Sequence, residues 1–241
     1  MEHGFASFAE YHRFLRSASA DEELQTVIDL ITNNETYFFR EDYQLQSFRE
    51  ETLPKLARDA RNRRHLTCWS MGCSTGEEAY SIAVVLLESG LFDGWNLRVF
   101  GTDLSRKRVT AARRAIYGES SFRSTSPVRR SAYFVSTRAG TRVGPSVRAM
   151  CQFGQLNLLD LAQRSTIDQV DAIFCRNVLI YFTPEARNRV IQSIYDRLRP
   201  GGYLMLGHSE SLLNDPGPFR PVHLNHDVVY HRPLNATVRG F

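Results

Sequence analysis

Apolar positions along this chain alternate between short continuous runs and stripes of helical period, and that alternation predicts an α/β protein. The first clear pair is an apolar-rich run at 66–71 followed by Ala79, Ile82, Ala83 and Leu86, spaced i, i+3, i+4 and i+7 as on one buried face of a helix. Between them stands Ser70-Met-Gly-Cys-Ser-Thr-Gly-Glu-Glu-Ala-Tyr80, which reads as the end of a strand, a tight glycine turn and the start of a helix. A second unit follows, with a strand at 97–102 ending on Asp103 and a helix at 105–115. Alternation then breaks off. From 117 to 148 the chain is rich in Ser, Arg and Gly, with a short alternating run at 133–135 and turn signals at Ala139-Gly140 and Gly144-Pro145, which predicts a small β insertion. Strands at 152–158 and 170–175 resume the pattern, the second almost continuously apolar as suits a central parallel strand. Thr183 and Pro184 open a helix with Val190, Ile191, Ile194 and Leu198 as its stripe, and Pro200-Gly201-Gly202 stops it. Strands at 203–206 and 228–231 complete a doubly wound sheet, the last expected as an antiparallel edge.

Ahead of the sheet, Phe8, Tyr11 and Leu15 mark a short helix, and Ser19 with Glu22 gives a capping-box spacing before Leu24, Val27, Ile28 and Ile31 on a second. The segment 32–40 is polar yet holds three adjacent aromatics, which either anchor the helical preface or stand beside a polar site. A further helix is expected at 43–60.

Composition narrows the class. The chain has 241 residues, 42% of them hydrophobic, enough for a full core without staples. Cys68, Cys73, Cys151 and Cys175 form no C-x-x-C pair and read as buried thiols of a reducing compartment, so neither disulfides nor a metal site is expected. No apolar run approaches the ~18 residues of a membrane span, and a signal-peptide layout is lacking, so a soluble cytoplasmic protein is expected. Charge is uneven. Between Arg106 and Arg148 eleven Lys or Arg stand against the single acid Glu119, a net of +10, whereas the whole chain carries only +4, which leaves −6 for the remainder. That asymmetry is either a solvated face or a basic surface steering an acidic partner.

Candidate chemistry gathers at the two βα turns. In an open α/β sheet the first such turn commonly receives a nucleotide-like ligand, because glycines admit the ligand and the helix start offers free N–H groups. Gly72 and Gly76 do not make a G-x-G-x-x-G fingerprint, so an ordinary connection stays open on spacing alone. Ser74 and Glu77 have capping-box spacing, which leaves Glu78 as the freer carboxylate. Asp103 is placed either to accept from ribose hydroxyls or to cap the next helix.

With Asn34-Glu-Thr-Tyr-Phe-Phe-Arg40, Ser74-Thr-Gly-Glu-Glu78, Gly101-Thr-Asp103, Asn157-Leu-Leu, Phe174-Cys-Arg-Asn-Val-Leu-Ile-Tyr-Phe182 and Gly207-His-Ser-Glu210 in this order, the sequence resembles the CheR family. These enzymes use S-adenosylmethionine to esterify glutamates on bacterial chemoreceptors. The resemblance covers nearly the whole chain. It implies a class I S-adenosylmethionine-dependent methyltransferase, Rossmann-like and doubly wound, over 61–241, with a shortened N-terminal helical domain and linker over 1–60 and the β insertion at about 117–150.

By motif, Asn34, Thr36 and Arg40 would face the cofactor from the N-terminal side, Glu78 would meet it in the first turn, and Asp103 would bind its ribose. Asn157 and Leu158 would bracket the adenine, and Arg176 with Asn177 would lie near the methionine moiety. Arg40 and Tyr181 would stand nearest the transferred methyl. His208 and Glu210 match as well, with a purely structural role left open. S-adenosylhomocysteine is the implied product, no metal is implied, and the implied partner is the cytoplasmic domain of chemoreceptors, met by a monomer. The N-terminal part lacks the additional helices usual in the family, and the insertion shows no clear glycine-rich loop of the kind linked to capture of a receptor tail pentapeptide. Two competing readings are a methyltransferase acting on RNA or a small molecule, suited by the arginine content, and a binding module for the cofactor or its product without catalysis. No aromatic platform interleaves the arginines as base stacking would need, so nucleic acid is not expected.

Overall fold

Two helices, α1 (Phe8–Leu15) and α2 (Asp21–Ile31), open the chain in the computed structural model, which describes residues 4–17, 20–31, 35–160 and 167–234. Ser7 caps α1, its hydroxyl accepting from the Glu10 N–H. Ser19 and Asn34 lie outside the described residues. The helix expected at 43–60 is three pieces: α3 (Asp42–Ser47), a π turn over Phe48–Thr52, and α4 (Leu53–Asp59). Pro54 gives the reason. It has no N–H to donate and its ring would press on the Glu50 carbonyl, so the ladder widens and Leu53 N–H reaches the Phe48 carbonyl, five residues back.

Strand β1 (His65–Met71) leads into α5 (Glu77–Glu88), and β2 (Asn96–Asp103) into α6 (Arg106–Arg114). The break in alternation is a small unit of its own. There β3 (Ile116–Tyr117), β4 (Phe134–Thr137) and β5 (Gly140–Val143) form an antiparallel sheet in the order β3-β5-β4, flanked by α7 (Pro127–Tyr133) and α8 (Pro145–Met150). The chain then returns through β6 (Cys151–Gln155), β7 (Val170–Cys175), α9 (Pro184–Arg197), β8 (Leu198–Leu206), β9 (Arg220–His223) and β10 (Val228–His231).

Among the described residues seven strands make the main sheet, in the order β6-β2-β1-β7-β8-β10-β9, parallel up to β8 and antiparallel on either side of β10. The chain is therefore an α/β doubly wound sheet with a small antiparallel insertion. Alternate residues of the central strands enter opposite cores: Leu66 and Cys68 of β1 join Ala172 and Phe174 on one face, Trp69 and Met71 join Ile173 and Cys175 on the other. Burial on both faces explains the continuous apolar runs. All four cysteines are free thiols, and burial pushes Cys68, Cys73 and Cys175 well above the ordinary thiol range.

Three expectations change at the sheet's far end. The strand at 228–231 is antiparallel but interior, because β9 pairs outside it; Arg220-Pro-Val-His223 has no alternation to announce a strand. Leu198 begins β8 rather than ending the helical stripe, and Pro200-Gly201-Gly202 lies inside β8, at a register shift between Val170 and Ala172 of its neighbour. No helix among the described residues is long and apolar enough to cross a membrane.

Candidate functional site

The chain leaves β1 toward β2 on one side and later returns to β7 on the other, so the carboxyl ends of β1 and β7 form the switch point where open sheets bind ligands. Glu78, just past the first turn, and Arg176, just past β7, meet there. The Glu78 carboxylate accepts from the Ser70 hydroxyl at 2.6 Å and from Arg176 Nη1 at 3.2 Å. Arg176 also donates from Nε to Gln44 Oε1 at 2.8 Å, and from Nη2 to the Arg40 carbonyl at 2.7 Å and the Glu41 carboxylate at 2.8 Å. Only 6% of Arg176 is exposed. Burial works against its charge, yet Glu78 and Glu41 together hold its pKa above the ordinary value. Burial raises the Glu78 pKa in turn, with Arg176 and the Ser70 hydroxyl pulling it back down.

Around this pair a cleft is walled by Thr36, Tyr37 and Arg40 from the segment before α3, by Gly72 and Ser74 of the first turn, and by Asn177, Ile180 and Tyr181 after β7. Its floor needs a glycine. Gly72 has φ +68°, and a Cβ there would lie 2.5 Å from Val178 Cγ2. Ser74, itself at φ +49°, presents a buried hydroxyl with no hydrogen-bond partner among the described residues, a polar atom that a ligand could meet.

The capping-box spacing of Ser74 and Glu77 does not form one. Gly76, at φ +95°, is the N-cap of α5 and caps without a side chain, while the Glu77 carboxylate is buried against the hydroxyls of Thr75, at 2.6 Å, and Ser121, at 3.0 Å. Glu78 is not the freer carboxylate either, since both its oxygens are engaged.

One strand over, Asp103 accepts the Ser74 N–H at 2.8 Å and the Ser105 N–H at 2.9 Å, while Ser105, not Asp103, is the side-chain cap of α6. Burial raises the Asp103 pKa, and those two amides oppose the shift. The Ser105 hydroxyl donates to Asp29 of α2, which ties the N-terminal helices to this edge. Asn157 turns its carbonyl oxygen to the Leu159 N–H at 3.0 Å, and Leu156 N–H donates to the Asp103 carbonyl at 2.9 Å, so Asn157 and the buried Leu158 stand beside Asp103 at the ends of β2 and β6. The structure thus groups Thr36, Arg40, Glu78, Arg176, Asn177 and Tyr181 in the cleft, and Asp103, Asn157 and Leu158 on the adjoining strand ends.

The aromatic segment does both jobs that its sequence left open. Phe38 packs among Tyr117, Phe122 and Phe134 of the insertion, with ring centroids 4.8 to 5.0 Å away, and Phe39 N–H donates to Ser81 Oγ. Tyr37 faces the cleft, with the Arg123 guanidinium 3.8 Å from its ring centroid and paired with Glu35 at 2.6 Å. Arg40 donates from Nη1 to the Glu35 carbonyl at 2.8 Å. At the mouth Ile180 is 52% and Tyr181 61% exposed. His208 lies outside the cleft, its Nδ1 3.3 Å from the Tyr43 hydroxyl. Glu41, Gln44 and Arg123 were not anticipated, and only the burial of polar Gln44 on an otherwise amphipathic helix could have drawn notice.

The polar groups fit S-adenosylmethionine: carboxylates at Glu35 and Glu78, a guanidinium at Arg40 and the Ser74 hydroxyl, unpartnered among the described residues, suit a ligand that carries both charges. Among the described residues no group of three or more His, Cys, Asp or Glu is arranged to hold a metal.

Residues 34–228 match the family model described as CheR methyltransferase, SAM binding domain. The chain is similar to chemotaxis protein methyltransferase 2 of Vibrio cholerae serotype O1, 36% identical over 94% of this chain and 79% of that one. It is equally similar, at 36%, to chemotaxis protein methyltransferase 1 of Pseudomonas aeruginosa, over 86% of this chain and 76% of that one. The solved glycopeptide N-methyltransferase MtfA complexed with S-adenosyl-L-homocysteine aligns over 76% of this chain and 64% of its own at 16% identity and TM-score 0.39, too low to carry an argument.

Proposed function

The chain belongs to the CheR methyltransferase family, and on that premise we propose that it methylates glutamate side chains of bacterial chemoreceptors, forming glutamate methyl esters. The observation that carries this reading is the switch-point cleft, to whose lining three of the family's motifs, at 34–40, 74–78 and 174–182, contribute side by side. S-adenosylmethionine supplies a methyl group on a sulfonium, and its transfer to a carboxylate leaves S-adenosylhomocysteine. On this reading Asp103 accepts from the ribose hydroxyls, Asn157 and Leu158 flank the adenine, and Thr36, Glu78, Arg176 and Asn177 hold the methionine end.

An acceptor glutamate, with an ordinary pKa near ~4.3, is already ionised at neutral pH, so no general base is needed. The protein's own work is alignment and exclusion of water, because a less polar site favours a step in which opposite charges cancel. Arg40 orients the incoming carboxylate. A tight bidentate pair would damp the nucleophile, and the bond from Arg40 Nη1 to the Glu35 carbonyl holds one fork of the guanidinium back. Tyr181, exposed at the mouth, meets the acceptor as it enters. Residues 1–60 act as the helical part and 61–241 as the transferase, a cytoplasmic monomer that meets the receptor's cytoplasmic domain.

The test is incubation with cofactor labelled in its methyl group and, in turn, chemoreceptor membranes, RNA and buffer alone. Base-labile label in the receptor is expected. Label in RNA, or none with receptor while S-adenosylhomocysteine still binds, would replace this reading with one of its competitors.

A further inference from the structure

Behind the cleft wall the Glu210 carboxylate, 8% exposed, accepts five backbone N–H groups. Oε2 receives Asn177 at 2.6 Å and Gly207 at 2.9 Å; Oε1 receives Val178 at 2.9 Å, Leu179 at 2.6 Å and Ile180 at 3.3 Å. Glu210 forms no ion pair among the described residues. Among the described residues its oxygens are met by backbone amides.

Four of these donors are consecutive. Asn177, at φ +58°, turns the chain into a 3-10 helix over Leu179–Tyr181 whose N-cap residue, Val178, provides no side-chain cap. The first amides of such a turn have no partner within it, and Glu210, arriving from the loop after β8, supplies one to each. Gly207 makes the approach possible, since a Cβ there would lie 2.8 Å from the Asn177 nitrogen and 2.9 Å from Glu210 Oε2. A carboxylate suits a ring of donors because it has about four acceptor sites and no N–H of its own. An amide would turn an NH2 toward at least two of the five.

The residues held this way are the cleft wall itself. Asn177 and Ile180 line the cleft, Tyr181 follows at its mouth, and Val178 fills the space that only a glycine at 72 leaves open. We propose that Glu210 is a positioning residue for methyl transfer, fixing through these five amides the wall that carries Asn177 and Tyr181. The inference rests on the methyl-transfer reading of the cleft.

The experiment compares the parent with Glu210→Gln and Glu210→Asp for S-adenosylhomocysteine affinity, for turnover and KM at saturating cofactor, and for thermal midpoint. A hydrogen bond to a charged group is worth roughly 1.5–3 kcal/mol, so Glu210→Gln should weaken the product complex about tenfold or more and lower turnover per folded enzyme by at least as much. Glu210→Asp, which keeps the anion one methylene shorter, should recover part of both. A lowered midpoint with affinity and turnover within twofold of the parent would show a merely structural role and overturn the proposal. Amide exchange in the unaltered protein keeps the proposal open to refutation even where Glu210→Gln fails to fold. Exchange at Val178 and Leu179 as slow as in β7 is expected, and exchange at the rate of an open loop would overturn the proposal. Neither binding nor exchange needs an acceptor, so inactivity toward receptor membranes would sink the proposed function and leave this inference to its own test.

Discussion

Each Asp103 oxygen accepts one backbone amide, from Ser74 or Ser105, which leaves a lone pair on each for a ligand. Asp103→Ala should therefore weaken S-adenosylhomocysteine binding roughly ten- to a hundredfold, the worth of a lost hydrogen bond to a charged group. An unchanged dissociation constant by calorimetry in a folded variant would remove Asp103 from the site. On the proposed mechanism Arg40 has a different task, alignment in the transition state. For Arg40→Ala turnover should fall far more than cofactor affinity, and an equal fall in both would make Arg40 a cofactor ligand and nothing more. Glu77 yields a pH prediction. Burial raises its folded-state pKa above the ordinary carboxylate value, so its contribution to stability is fully present below the unfolded pKa and is lost as pH rises through the folded one. Glu77→Gln keeps the shape and can still bond the Thr75 and Ser121 hydroxyls. The variant should gain on the parent as pH rises from 5 to 7.5, read as the difference in melting temperature; a gap that is flat or shrinks over that range would refute the assignment.

Helix α3 is short, yet it ties three strands to the site. Gln44 accepts a hydrogen bond from Arg176 Nε–H with its oxygen and donates with its nitrogen to the Leu206 carbonyl at 3.0 Å and to the Asp227 carboxylate at 3.1 Å, joining the ends of β7, β8 and β10. Gln44→Leu fits the apolar surroundings but leaves a buried guanidinium N–H without an acceptor. The expected cost is about 1–3 kcal/mol or more, seen as a lower urea midpoint at unchanged m-value. A midpoint equal to the parent's would mean that Arg176 finds another partner. The π turn after α3 belongs to the same scale: a single proline converts a uniform amphipathic pattern into a bent one.

Over the whole molecule the basic stretch from Arg106 to Arg148 is less free than its charge count suggests. Arg129 pairs with Glu88 and Asp42 at 2.8 Å and lies over the Phe39 ring, while Arg130 pairs with Glu119. Replacing these two would disturb the insertion, not only its field. Lys107, Arg114, Arg138 and Arg142 are exposed and form no ion pair among the described residues. If they steer an acidic partner, replacing all four with serine should slow receptor methylation at low salt with cofactor affinity unchanged. The deficit should fade as the Debye length shrinks from ~10 Å at 0.1 M toward ~3 Å at 1 M. Rates equal to the parent's at low salt would make this surface a solvated face.

Periodicity determined the alternating elements and the central buried strands, because side chains packed on both faces of a sheet or on one face of a helix must repeat at fixed spacing, and composition with turn signals placed the insertion where that alternation breaks off. Motif order marked Arg40, Glu78, Asp103, Arg176 and Tyr181 one by one. What sequence could not decide was partnership. The Ser74–Glu77 spacing fits a capping box, but Glu77 is drawn to Ser121 of the insertion, and Arg176 gathers Gln44, Glu41 and Glu78 from two elements distant in the chain. Strand order at the far edge was equally hidden, since β9 has no alternation and is a strand only because β10 offers it a free edge. Local pattern records what each segment buries. Which charge meets which amide or carboxylate depends on the closing of loops 30 to 130 residues long, and only the folded chain settles that.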